Sequence, residues 1–129
     1  MPTPVNDLQS FVIALSAETG DIATGTAVTY FRLPFGFTLT ELPRASVSTA
    51  PVGSVLTVDI NVGASTPATI LSTKLTIDAS EKTSVTGSTP CVLSSSVFSS
   101  DDIVSFDIDG VGSSTAGVGL KVELIGVRT

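Results

Sequence analysis

The chain has no histidine and no tryptophan, and only one cysteine among its 129 residues. Without histidine it lacks the commonest general base and the commonest metal ligand. A serine or threonine nucleophile would have no imidazole to activate it, so we expect no enzyme. The lone Cys91 has no partner for an internal disulfide, which fits folding in a reducing cytoplasm; we expect it as a small buried hydrophobe. Basic residues are also scarce: Arg32, Arg44, Lys74, Lys82, Lys121 and Arg128 form no run, and twelve acids bring the net charge to −6. Phosphate backbones need clustered cations, which argues against nucleic acid as a partner. No stretch approaches the roughly 18 apolar residues of a membrane span. The opening MPTPVNDLQS has neither the basic start nor the apolar core of a signal peptide, so neither a membrane nor signal-directed export is expected.

What the chain has is apolar and neutral-polar. Hydrophobic residues make up 42% and charged residues 14%, so the surface must be built from Ser, Thr, Gly and Asn, and some apolar area is expected to be covered by copies of the chain or another protein. The length suits one domain. Residues 1–8, with Pro2 and Pro4, read as an extended arm, and residues 9–129 as a single β-sandwich.

The clearest signal is period-2 alternation. Leu56, Val58, Ile60 and Val62 alternate with Val55, Thr57, Asp59 and Asn61; after a Gly-Ser-Thr-Pro loop, Leu71, Thr73, Leu75 and Ile77 alternate with Ile70, Ser72, Lys74 and Thr76. This predicts an antiparallel hairpin. Other strands are expected at 9–17, at 27–33 with bulk on both faces and therefore cover on both, at 37–48 with an interruption at Pro43, weakly at 83–85 and 92–98, at 103–108 with Val104, Phe106 and Ile108 inward, and at 118–127. Asp78 to Glu81 has capping-box spacing and predicts a single helical turn. Residues 109–117, DGVGSSTAG, read as a flexible loop. About eight or nine short strands with negligible helix imply an all-β antiparallel sandwich, best matched by a jelly roll, with an immunoglobulin-like sandwich as the alternative.

Few groups invite chemistry. Asp107 and Asp109 share one face of a strand and with Gly110 resemble a fragment of a calcium loop, but the other ligands are missing; a solvated strand edge whose charges discourage pairing is the plainer reading, and no metal or other cofactor is assigned. Asp59 and Asp107 could form a carboxylate pair only if folding joined them. Phe31 and Phe37 are expected in the core. An interface is the alternative for Tyr30 and Phe35, joined by Pro2, Pro4 and Val5 of the arm.

The segments TYFRLPFGFTLTELPRASVSTAPVGSVLTVDINV, TILSTKLTIDASEKTS and VSFDIDGVGSSTAGVGLKVELIG resemble a β domain that recurs among virion proteins of tailed bacteriophages, including those of cyanobacteria, over about residues 10–126. The resemblance implies a jelly roll with no catalytic motif, used either as a capsid decoration (cement) protein or as a tail-fibre module. In the first role it implies a homotrimer on the capsid surface, assembled in the host cytoplasm, with the major capsid protein as partner and the arm clamping the shell. In the second, loops such as 113–117 would contact the host surface. An own Met at the start and a core that closes near the end favour the first.

Overall fold

The computed structural model describes residues 8–129. Pro2, Pro4 and Val5, expected at an interface, lie outside the described residues. Twelve strands and no helix make up the described chain. In order they are β1 (Leu8–Ala14), β2 (Gly25–Arg32), β3 (Phe37–Leu39), β4 (Arg44–Ser46), β5 (Leu56–Val62), β6 (Ala68–Thr69), β7 (Leu71–Thr73), β8 (Leu75–Ile77), β9 (Val92–Leu93), β10 (Val97–Phe98), β11 (Ile103–Gly110) and β12 (Lys121–Arg128). Leu8, assigned to the arm on sequence, is already the first residue of β1.

Two antiparallel sheets face each other. The first runs β1-β12-β3-β10, with β4 also on β12; the second runs β2-β11-β5-β6, with β8 also on β5; β7 and β9 form a small third sheet. Several strands are pieces of one longer run. Both β3 and β4 pair with β12, and both β6 and β8 pair with β5. Counting β3–β4, β6–β8 and β9–β10 as one interrupted run each gives eight runs whose pairing is nested: first with last, second with seventh, third with sixth, fourth with fifth.

Alternation explains the core. Leu56, Val58 and Ile60 of β5, Val104, Phe106 and Ile108 of β11, and Leu120, Val122 and Leu124 at β12 are all buried. Each set lies on the inward face of a strand that has neighbours on both sides. Phe37 and Phe98 are buried with them, and Phe11, Phe31 and Phe35 pack at the rim. Phe11 joins the two sheets there, with ring centroids 5.4 Å from Phe31 and 5.1 Å from Phe37. Cys91 is buried, as expected, and loss of solvation pushes its thiol up from the ordinary value.

Four expectations are corrected. The second arm of the central hairpin is not one strand: β6 and β8 stay on β5, whereas β7 leaves the ladder to pair with β9. Ile70 and Leu71, adjacent in sequence, are both buried, which a continuous strand cannot do because its side chains alternate. Residues 78–81 form a turn rather than helix: the Glu81 N–H donates to the Asp78 carbonyl at 3.1 Å, Ser80 has φ of 67°, and the Asp78 carboxylate accepts from the Ser88 N–H at 2.8 Å. β2 is not covered on both faces: Tyr30 on its outer side is 65% exposed. Residues 83–85 contribute only an isolated bridge, Ser46 to Thr83.

Candidate functional site

The outer face of the second sheet gathers the polar groups that sequence reasoning left scattered. Antiparallel register sets Asp107 of β11 directly opposite Asp59 of β5, so folding does bring these two carboxylates together. Like charges in that position oppose pairing, and the surroundings show how the fold accommodates them. The Asp59 carboxylate accepts from the Thr69 hydroxyl at 2.5 Å and its own neighbour's N–H, Ile60, at 3.0 Å. Asp107 accepts from the Asn61 amide at 3.1 Å and from the Ala27 N–H at 2.7 Å. The Lys74 ammonium lies 2.6 Å from Asp109 and 3.9 Å from Asp59.

Each partner follows from local chain geometry. Asp59 and Asn61 alternate outward on β5, where a wet face is expected, yet both are buried. Thr69, paired with Asn61 in β6, reaches Asp59 from the ladder itself, and the segment that leaves the ladder between β6 and β8 brings Lys74 to Asp59 and Asp109. Asp107 meets β2 where the register slips between Phe106 and Ile108 and Ala27 takes φ of 48°, an unusual value for a residue with a side chain. The bulge displaces the Ala27 N–H from the ladder, and the Asp107 carboxylate receives it.

This corrects the reading of Asp107 and Asp109 as a strand edge. β11 lies between β2 and β5 in the middle of its sheet, and its acids are held in internal hydrogen bonds and an ion pair. Asp101 and Asp102 do not join them: Asp101 pairs with Arg32 at 3.1 Å, and Asp102 accepts from the Ser99 N–H at 2.8 Å. Among the described residues no three His, Cys, Asp or Glu side chains converge in a way that could hold a metal ion. The contacts of the cluster close the bulge at Ala27 and tie the segment between β6 and β8 to the sheet.

Two tests follow. Asp107→Ala leaves the Ala27 N–H and the Asn61 amide without their acceptor, and should lower stability by about 1–3 kcal/mol, read as a drop in denaturant midpoint; an unchanged midpoint would mean that water replaces the carboxylate. The hydrogen bond to Asp109, aided by the charges of Asp109, Asp59 and Asp107 and opposed by desolvation, raises Lys74 above its ordinary 10.5. A cation held more tightly in the folded state contributes stability that is complete below the unfolded value and fades as pH rises through the folded one. Lys74→Met should thus lower Tm by a constant amount from pH 7 to 10, and the gap to wild type should close at higher pH.

The loop at 109–117 is tied down rather than flexible. The Val52 N–H donates to the Thr115 carbonyl at 2.9 Å, the Ser114 N–H to the Val52 carbonyl at 2.9 Å, and the Ile22 N–H to the Gly117 carbonyl at 2.9 Å. Gly112 is buried where a Cβ would overlap the Thr115 carbonyl and lie 2.6 Å from the Val52 nitrogen. Only Ser113 and Ser114 of residues 111–117 are exposed.

Of the expected interface residues, Tyr30 stands out from β2, and Phe35 is half-buried, 5.8 Å from Phe11 with the Arg128 guanidinium 4.8 Å above its ring. On β1 and its sheet Leu8, Val12 and Val97 are each more than half exposed, as Tyr30 and Val85 are elsewhere. Alternation along β1 turns Val12 away from the core, and β1 ends its sheet. A shallow groove of about 390 Å³ beside β4 and β8, lined by Leu42, Pro43, Leu75, Val85 and Pro90, carries Arg44 and Glu41 at its rim, 3.6 Å apart. Compared with known proteins, the chain matches no family model, no curated protein and no solved structure.

Proposed function

We propose that the protein is a virion structural component, a capsid decoration (cement) protein that sits on the surface of a phage head and stabilises the shell, with the major capsid protein and copies of itself as partners. The nested strand order carries this reading. A chain whose first run pairs with its last, its second with its seventh and so on inward, rolled into two facing sheets, is the arrangement we read as a jelly roll, an architecture used by viral capsid domains. The blocks behind the phage resemblance occupy the pieces that build it: FRLPF joins β2 to β3, VDIN lies in β5, ILSTKLTID runs through β7 and β8, and DIDG closes β11. Exposed apolar side chains on the first sheet supply the area such a protein would cover on assembly.

The reading is tested by adding the purified protein to heads of the encoding phage that lack it. Saturable co-sedimentation with the heads, together with a higher temperature of head disruption, is the expected result. Failure to bind heads combined with binding to intact host cells would overturn it and move the protein to the tail.

A further inference from the structure

The strand β1, Leu-Gln-Ser-Phe-Val-Ile-Ala, contains no charge, no proline and no glycine, and among the described residues it pairs only with β12. The phase of that pairing is fixed. The Leu15 N–H donates to the Leu120 carbonyl at 2.9 Å, in the same register as Leu8 with Val127. In an antiparallel ladder hydrogen-bonded and non-bonded pairs alternate, so Gln9, Phe11 and Ile13 turn their backbone groups toward β12. The N–H and C=O groups of Leu8, Ser10, Val12 and Ala14 point the other way.

Exposed edges invite strand addition unless a charge, a proline or a bulge blocks it. The long edge of the second sheet is blocked: β2 carries the bulge at Ala27, and Arg32 ends it in an ion pair with Asp101. β1 keeps an unbroken register with β12 and carries none of these devices.

We propose that β1 is an interface strand and that its occupant is β1 of a second copy, added antiparallel about a twofold axis through Phe11. The strand geometry admits a second copy, and charge and exposure select it. With the axis at Phe11, Ser10 falls opposite Val12 of the other copy and Leu8 opposite Ala14, so the residues whose backbone groups point outward meet one another in bonded pairs. The net charge of −6 makes two copies repel, and the outer face of the second sheet concentrates Asp59, Asp107 and Asp109; the uncharged β1 is where copies meet with no like charges opposed. Leu8 and Val12, each 61% exposed, gain Ala14 and Ser10 of the second copy as cross-strand neighbours. The contact is isologous and replaces the threefold association implied by the resemblance. Seven residues of edge pairing bury less than the roughly 1,600 Å² of a standard interface, so the dimer is weak and fills at high local concentration.

Sedimentation equilibrium of the full chain tests this. The mass is expected to rise with concentration from 13.1 kDa toward twice that value. Ser10→Pro deletes an N–H that faces away from β12 and so spares the ladder. Val12→Lys places a cation beside the axis, where Glu123 directly opposite accommodates it within the fold. Both variants should remain monomeric at concentrations where wild type dimerises, with unchanged far-UV circular dichroism. If Ser10→Pro does not fold, Val12→Lys and amide exchange decide: exchange at Ser10 and Val12 of wild type should slow as concentration rises. A strict monomer, a trimer, or a dimer that survives Val12→Lys with concentration-independent exchange would overturn the proposal.

Discussion

Val58→Asp is expected to yield no folded protein. Val58 is fully buried in the middle of β5, opposite Ile108 on one side and Leu75 on the other. The substitution removes an apolar side chain worth about 1.5–3 kcal/mol in burial and places there a carboxylate whose desolvation adds several kcal/mol more. Domains of this size have about 5–15 kcal/mol of stability in total, and among the described residues the cation nearest this strand, Lys74, lies on the other face with Asp59. Val55→Asp, three residues earlier at a side chain 42% exposed, should fold normally. Circular dichroism and soluble yield of the two variants separate the faces, and a folded Val58→Asp protein would show that the inward face is wrongly assigned.

The second large effect is expected at Gly126. It lies in β12 opposite Leu39 of β3, and a Cβ built there overlaps the Thr38 carbonyl oxygen and sits 2.9 Å from the Leu39 Cα. Both are backbone atoms, so no side chain can swing aside, and Gly126→Ala must separate β3 from β12. Overpacking of this kind typically costs about 1–3 kcal/mol. Here the strain also falls on the link to β10, which is joined to the sheet through β3. The expected readout is a lower denaturant midpoint with faster amide exchange in β3 and β10; an unchanged midpoint would mean that β3 and β12 approach less closely than described.

How far the sequence alone reaches can be judged strand by strand. In β11 alternation identified the inward residues Val104, Phe106 and Ile108, because the strand lies between two neighbours and its inward alternation survives the register shifts beside it. In β5 it identified the dry face but missed the burial of Asp59 and Asn61, which depends on Thr69 and Lys74 arriving from another segment. The break of the hairpin's second arm was visible only as two adjacent apolar residues, Ile70 and Leu71, a signal that a period-2 reading treats as noise. The spacing of Asp78 and Glu81 fits a helix cap, but Ser80 at φ of 67° turns the chain and sends the Asp78 carboxylate to Ser88.

The polar cluster was out of reach for a similar reason. Asp59 and Asp107 are 48 positions apart in sequence, and nothing local says that their strands are neighbours or in which register. The edge position of β1 is likewise a property of the pairing order, not of LQSFVIA itself. The glycine-rich loop misled in the opposite direction: glycines there suggest freedom, whereas at Gly112 the missing side chain is what lets the loop close onto Val52.

The central claim, a two-sheet domain working as a surface component of a phage head, is tested most directly by cryo-electron microscopy of the encoding virion. The account predicts density for this domain on the outside of the icosahedral shell, seated on the major capsid protein. Density at the tail tip, or a head whose outer surface carries no such domain in virions that contain the chain, would contradict it.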